Sequence, residues 1–103
     1  IRVPTPNVSL VDLVVELDRP TTAEEVNAAL KSASAGPLQD ILGYSEEPLV
    51  SVDYVGTTYA GVVDALTTTV MNGTMLKLII WYDNESGFSN QLLRLARKVA
   101  AVL

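Results

Sequence analysis

Met75-Leu76-Lys77-Leu78-Ile79-Ile80-Trp81-Tyr82-Asp83-Asn84-Glu85 is the stretch that decides the fold of this chain. Met75 to Tyr82 is apolar and β-favouring, with Leu76, Leu78, Ile80 and Tyr82 on one face of a strand. Farther on, Leu92, Leu95, Ala96, Val99 and Leu103 recur at helical spacing. That pattern predicts a C-terminal helix over Leu92 to Leu103 that buries this stripe. Asp83, Asn84 and Glu85 stand at the handover, where no core needs them. A strand end leading into a helix start gathers free backbone N–H groups, and ligands commonly bind there. The polar residues are therefore either a capped helix start, worth about 1 kcal/mol with no further role, or a ligand site.

Working back toward the N-terminus, Asn72-Gly73 is a hairpin signal that joins this strand to a β-branched run, Val62 to Met71. Gly56 to Gly61 reads as a small-residue loop, and Leu49 to Val55 alternates as a strand, with Val50, Val52 and Tyr54 on one side. Ile41 to Tyr44 is a short apolar segment suited to a sheet edge, followed by a turn at Glu46-Glu47-Pro48. Before it lies the clearest helix. Thr21 with Glu24 and Thr22 with Glu25 form overlapping capping boxes, Val26, Ala29, Leu30 and Ala33 make a buried stripe, and Gly36-Pro37 stops it. The first strand, Val8 to Leu17, places Val11, Leu13, Val15 and Leu17 on one face. Val8, Leu10 and Val14 make the opposite face partly apolar, so both faces need cover. The order β-α-(β)-β-β-β-α predicts an α+β architecture, a mostly antiparallel sheet with helices on one face. No Gly-x-Gly-x-x-Gly fingerprint marks a doubly wound nucleotide-binding unit.

With 103 residues the chain supports one domain or part of one. Its longest apolar run is far short of the roughly 20 residues needed to cross a bilayer. No charged-then-apolar leader opens it, so no signal peptide is expected. A net charge of −5 argues against nucleic acid and anionic membranes as partners. Arg94, Arg97 and Lys98 gather in the last helix, either complementing its dipole or forming a binding patch. The chain has no cysteine and no histidine. Disulfides, Cys/His metal sites, Ser-His-Asp triads and Cys-His nucleophile pairs are thereby excluded within it, and no metal is expected. Carboxylates remain as the common acid–base groups, with tyrosine and lysine as rarer ones.

The segment Trp81 to Glu85, followed by Gly87, closely resembles the WYDNE-x-G signature of glyceraldehyde-3-phosphate dehydrogenases. Arg2-Val3-Pro4-Thr5-Pro6-Asn7-Val8-Ser9 resembles a second signature of that family. Gly36-Pro37-Leu38, Ile41-Leu42-Gly43-Tyr44 and Leu49-Val50-Ser51-Val52-Asp53 resemble family segments in the same order, so the similarity covers essentially the whole chain. The resemblance implies that residues 1–103 are the C-terminal part of the catalytic domain. The nucleotide-binding domain, the nucleophilic cysteine and its partnering histidine are expected elsewhere, which leaves no catalytic nucleophile or base here.

For individual residues, the resemblance implies that Arg2 binds substrate phosphate, a task suited to a guanidinium fork. It implies that Asn84 fixes the nicotinamide carboxamide, since a neutral amide both donates and accepts. Tyr82, Asp83, Glu85 and Phe88 are expected as pocket or supporting residues, with Asp83 and Glu85 capping. Read without the resemblance, Arg2 is an ordinary surface arginine, Pro4 and Pro6 are a rigid lead-in, and Asn7 and Ser9 are structural. Tyr54 and Tyr59 read as core or interface residues, and Asp53 and Asp64 as edge or paired carboxylates. Phe88 stands where the family usually has tyrosine, and Ser86 where an aromatic is usual.

The family reaction runs through attack of a cysteine thiolate on an aldehyde, hydride transfer to NAD to leave a thioester, and displacement by phosphate as an acyl phosphate. The resemblance thus implies an NAD-dependent oxidoreductase of glycolysis, with NADP possible as cofactor. A phosphorylated aldehyde and inorganic phosphate are the expected small-molecule partners. A cytoplasmic homotetramer that includes the remainder of the enzyme is the expected assembly. Tyr82 before Asp83 looks more like these enzymes than like the erythrose-4-phosphate branch. Two other readings compete: a separately encoded, non-catalytic binding or assembly module derived from the family, and a small α+β ligand-binding domain unrelated to it.

Overall fold

Strand β5, Met75–Tyr82, organises the computed structural model, which describes residues 1–103. Strand β1, Ser9–Glu16, runs antiparallel along all of it, from Ser9 opposite Tyr82 to Glu16 opposite Met75. The other edge of β5 is shared. Strand β4, Thr69–Met71, pairs with its first half through the hairpin, and strand β3, Gly61–Asp64, pairs with Ile80 and Trp81. Strand β2, Leu42–Ser45, lies outermost and parallel to β3. Helices α1, Ala23–Ala35, and α2, Ser86–Ala100, complete an α+β fold on a mixed, mostly antiparallel sheet.

Several elements follow directly from local chemistry. Thr22 caps α1 by accepting the N–H of Glu25, and the Thr21 hydroxyl donates to the Glu25 carboxylate. Asn72 and Gly73 both take positive φ in the β4–β5 hairpin, a conformation open to asparagine and glycine. Helix α1 is pinned over the sheet by Asn27, which donates to the Ala65 carbonyl and accepts from the Thr68 hydroxyl. Its stripe is only partly covered. Val26, Leu30 and Ala33 are half-buried and Ala29 is exposed. A cleft of about 810 Å³ remains beside the helix, lined by Leu17, Val26, Ala29 and Leu76 among others.

The structure departs from the sequence expectation in three places. Leu49 to Val55 is not a strand, because Ser51–Tyr54 winds into a 3₁₀ turn. The Asp53 carboxylate accepts the Val50 N–H at 2.8 Å, a local bond that competes with sheet pairing. The turn turns Tyr54 inward and leaves Val52 70% exposed, so the alternation reflected no sheet face. Residues 46–60 instead form the crossover that a parallel β2–β3 pair requires. The run Val62 to Met71 is broken by a 3₁₀ turn at Ala65–Thr67, where the Thr67 hydroxyl donates to the Asp64 carbonyl. Its two halves therefore pair with β5 separately as β3 and β4. Helix α2 begins earlier than its apolar stripe suggested, and Leu92, Leu95, Ala96, Val99 and Leu103 are exposed rather than buried.

Only 12 of 103 residues are buried, so the apolar surface greatly exceeds what the chain itself can cover. Val63, Leu76 and Leu78 are buried in the sheet and Ala65 just after β3, and Val8, Tyr54 and Val62 form a core cluster with Leu49, Tyr59 and Trp81 packed against it. Tyr54 stacks on Trp81 with ring centroids 5.5 Å apart. Around this small core Leu10, Val11, Leu13 and Val14 of β1 are exposed on both faces, as is the α2 stripe. Apolar surface on this scale drives association. The 103 residues on their own should therefore self-associate. Sedimentation velocity should show oligomers or aggregates that grow with concentration, and a monomer that unfolds cooperatively would contradict this.

Candidate functional site

The end of β5 is closed by a buried carboxylate. Asp83, 2% exposed, directly follows the last strand residue. Its Oδ1 accepts the backbone N–H groups of Glu85 at 2.9 Å and Ser86 at 2.8 Å, which caps the start of α2. Its Oδ2 accepts the Gly56 N–H at 2.8 Å and the Asn7 side-chain amide at 3.0 Å. Gly56 has φ +81°, a backbone that favours glycine. Three chain segments thus meet on one side chain.

The same bonds set its charge. Donation from Gly56, then from Ser86, with smaller help from Glu85 and Asn7, outweighs burial and lowers the Asp83 pKa from 3.8 to about 2. The carboxylate is ionised at neutral pH. Because the folded value lies below the unfolded one, its contribution to stability is present above 3.8 and is lost as pH falls from there through about 2. Glu85 was expected to share the capping, but its side chain is exposed and makes no capping bond. Asp83 caps alone.

Asn84 is exposed, and its Oδ1 accepts the Val8 N–H at 3.2 Å. That bond leaves the two hydrogens of Nδ2 for another acceptor. Val8 is buried with φ +77°, a left-handed backbone that is unusual for a β-branched residue. Beside Asn84 lies a depression of about 350 Å³, lined by Ala60, Tyr82, Asn84, Gly87, Phe88 and Gln91. Tyr82 is half-buried there, whereas Phe88 is 67% exposed. Gly87 lets α2 approach the loop before β3, since a Cβ would stand 2.8 Å from the Tyr59 carbonyl oxygen. Gln91 reinforces this contact by donating to the Thr58 carbonyl.

The two sequence signatures, 76 residues apart, therefore meet through Asn7 with Asp83 and through Val8 with Asn84. Arg2 is exposed on the irregular, bent segment that leads into Asn7. Asn7, read from sequence as merely structural, is the residue whose importance that reading missed, together with Gly56. A glycine after Val55 in a loop was the one available hint, since nothing local points either residue at Asp83. Of the carboxylates expected at strand edges or in pairs, Asp64 ends β3 and Asp53 lies in a turn instead. The Trp81 indole N–H reaches buried Asp64 at 3.4 Å, and Asp53 serves its own turn. Arg97 and Lys98 sit in the last turn of α2, where they suit its dipole. No helix is long and apolar enough to cross a membrane.

Comparison with known proteins places the chain in a family. The family model described as glyceraldehyde 3-phosphate dehydrogenase, C-terminal domain, matches residues 1–84. Glyceraldehyde-3-phosphate dehydrogenase 1 of Bacillus subtilis is 65% identical over 99 residues, covering 96% of this chain and 30% of the relative. The enzyme of Geobacillus stearothermophilus is 58% identical over 100 residues, covering 97% of this chain and 30% of its own length. Glyceraldehyde-3-phosphate dehydrogenase 3 of a Nostoc species is 54% identical over 104 residues, covering 100% of this chain and 31% of the relative. The chain thus spans about three tenths of the length of these relatives. With the family model matched over most of its residues, this chain belongs to the glyceraldehyde-3-phosphate dehydrogenase family and is a fragment from its C-terminal part.

Proposed function

We propose that this segment serves an NAD-dependent, phosphorylating glyceraldehyde-3-phosphate dehydrogenase, supplying one contact to substrate phosphate and one to nicotinamide. The observation that carries the reading is the junction of the two signatures, where Asn7 and Val8 bond to Asp83 and Asn84. That junction ties the segment bearing Arg2 to the residue beside the depression. The guanidinium of Arg2 would bind phosphate oxygens and offset their charge. Asn84 would donate through Nδ2 to the carbonyl oxygen of the carboxamide, because its Oδ1 is engaged by Val8. A free amide donor beside Tyr82 and Phe88 fits a neutral, planar ring with a polar substituent. Bound there, the cofactor supplies the hydride acceptor. The chain's own residues orient the ring and hold the substrate, and the nucleophile and base come from the rest of the enzyme. A cytoplasmic homotetramer working in glycolysis is the setting this reading assigns.

Asn84→Asp is the sharpest test, because it keeps the oxygen that accepts from Val8 and removes the Nδ2 donor. In the full-length enzyme it should slow pre-steady-state hydride transfer several-fold or more, since one orienting hydrogen bond is worth about 1 kcal/mol. NAD affinity in a direct titration should change less, because most of the dinucleotide is held elsewhere. An unchanged hydride step would reduce Asn84 to a tether for Val8.

A further inference from the structure

We propose that the Asn7–Asp83 pair is a positioning clasp that helps set Arg2 and Asn84 together, so that phosphate binding and nicotinamide orientation both respond to loss of its hydrogen bond. This rests on the roles just assigned to Arg2 and Asn84. Neither Asn7 nor Asp83 is asked to touch a ligand.

The geometry of the pair carries the inference. Just before β1 and just after β5, Asn7 Nδ2 donates to Asp83 Oδ2 at 3.0 Å and the Val8 N–H donates to Asn84 Oδ1 at 3.2 Å. The two bonds cross between the segments and hold the N-terminal one against the β5–α2 junction. The remaining Asp83 bonds, to Gly56, Glu85 and Ser86, anchor the carboxylate to elements that do not carry Arg2. Asn7 is therefore the replaceable link between the two ligand contacts.

Local costs at the same spot argue that the link is retained for position. Asn7 Oδ1 is buried without a partner. An apolar side chain would leave no such orphan. Val8, the next residue, holds φ +77° although its branched side chain disfavours it. Two departures from good local packing side by side, at a junction with ligand residues on both flanks, are what a geometrically constrained site produces. Asp83 suits the anchor role because an ionised carboxylate makes stronger hydrogen bonds than a neutral amide would.

The experiment uses the full-length enzyme with Asn7→Ala, which removes the link and spares the α2 cap. Amide exchange, KM for phosphorylated and unphosphorylated aldehyde, and single-turnover hydride transfer are measured together. Peptides containing Val8 should exchange faster, by about tenfold if one hydrogen bond's protection is lost, with peptides from β5 unchanged. KM for the phosphorylated aldehyde should rise and hydride transfer should fall, each several-fold, with little change in KM for the unphosphorylated one. Unchanged exchange at Val8 would overturn the clasp, and so would loosening that affects only one of the two kinetic readouts. Arg2→Ala and Asn84→Asp, run in parallel, separate the failures. If these leave kinetics unmoved, the ligand roles are wrong, and the coupled inference falls with them. If they act as assigned and Asn7→Ala does not, only the clasp is wrong.

Discussion

No dehydrogenase turnover is expected from the isolated 103 residues supplied with glyceraldehyde-3-phosphate, NAD and phosphate. The reaction requires a thiolate to carry the acyl group, and the chain has no cysteine. It also requires a group to take the proton as the thiol attacks, and there is no histidine. The best-placed carboxylate cannot substitute. Asp83 is saturated by the Asn7, Gly56, Glu85 and Ser86 donors, and a pKa of about 2 makes it too weak a base near neutrality. The measurement is NADH absorbance with time, at high protein concentration and after any full-length enzyme has been removed. Sustained turnover under those conditions would mean that the chemistry resides in residues other than those proposed.

The second large effect is expected at Arg2. In the full-length enzyme, Arg2→Ala should lower kcat/KM for the phosphorylated aldehyde by roughly ten- to a hundredfold, the equivalent of about 1.5–3 kcal/mol for one charge-assisted contact. The residue is exposed and packs in no core, so folding should be little affected. An aldehyde without the phosphate should lose much less, because the missing cation has nothing to bind. Equal losses with both substrates would show that Arg2 supports the N-terminal segment instead of recognising phosphate. Arg2→Lys separates charge from fork geometry. A point charge should restore only part of the discrimination if bidentate contact matters.

The elements legible in the sequence are those whose signals are local. Met75 to Tyr82 was bounded correctly at both ends, because a nearly continuous apolar, β-favouring run lies between a turn signal and a polar cluster. The Thr22 cap, the Asn72-Gly73 hairpin and the Gly36 stop each depend on a backbone preference within a few residues. Tyr54 and Val50 read as a strand because alternation looks the same whether or not a neighbouring strand exists. A single bond from Val50 to Asp53 then tipped the segment into a turn.

By itself, the sequence determined the first and last strands, the two helices, the absence of thiol and imidazole chemistry, and the two signatures that name the family. These are properties of residue type and short-range spacing, so they need no third dimension. Only the tertiary structure decided that Asn7 and Gly56 serve Asp83, that Asn84 has one end of its amide already engaged, and that Asp83 rather than Glu85 caps α2. It alone decided, too, that the α2 stripe lies open. Periodicity states which side of a helix is apolar, whereas cover depends on what the rest of the chain brings against it. The Asn7–Asp83 hydrogen bond is likewise long-range: its partners lie 76 residues apart, and the antiparallel pairing of β1 with β5 brings the segments that carry them side by side.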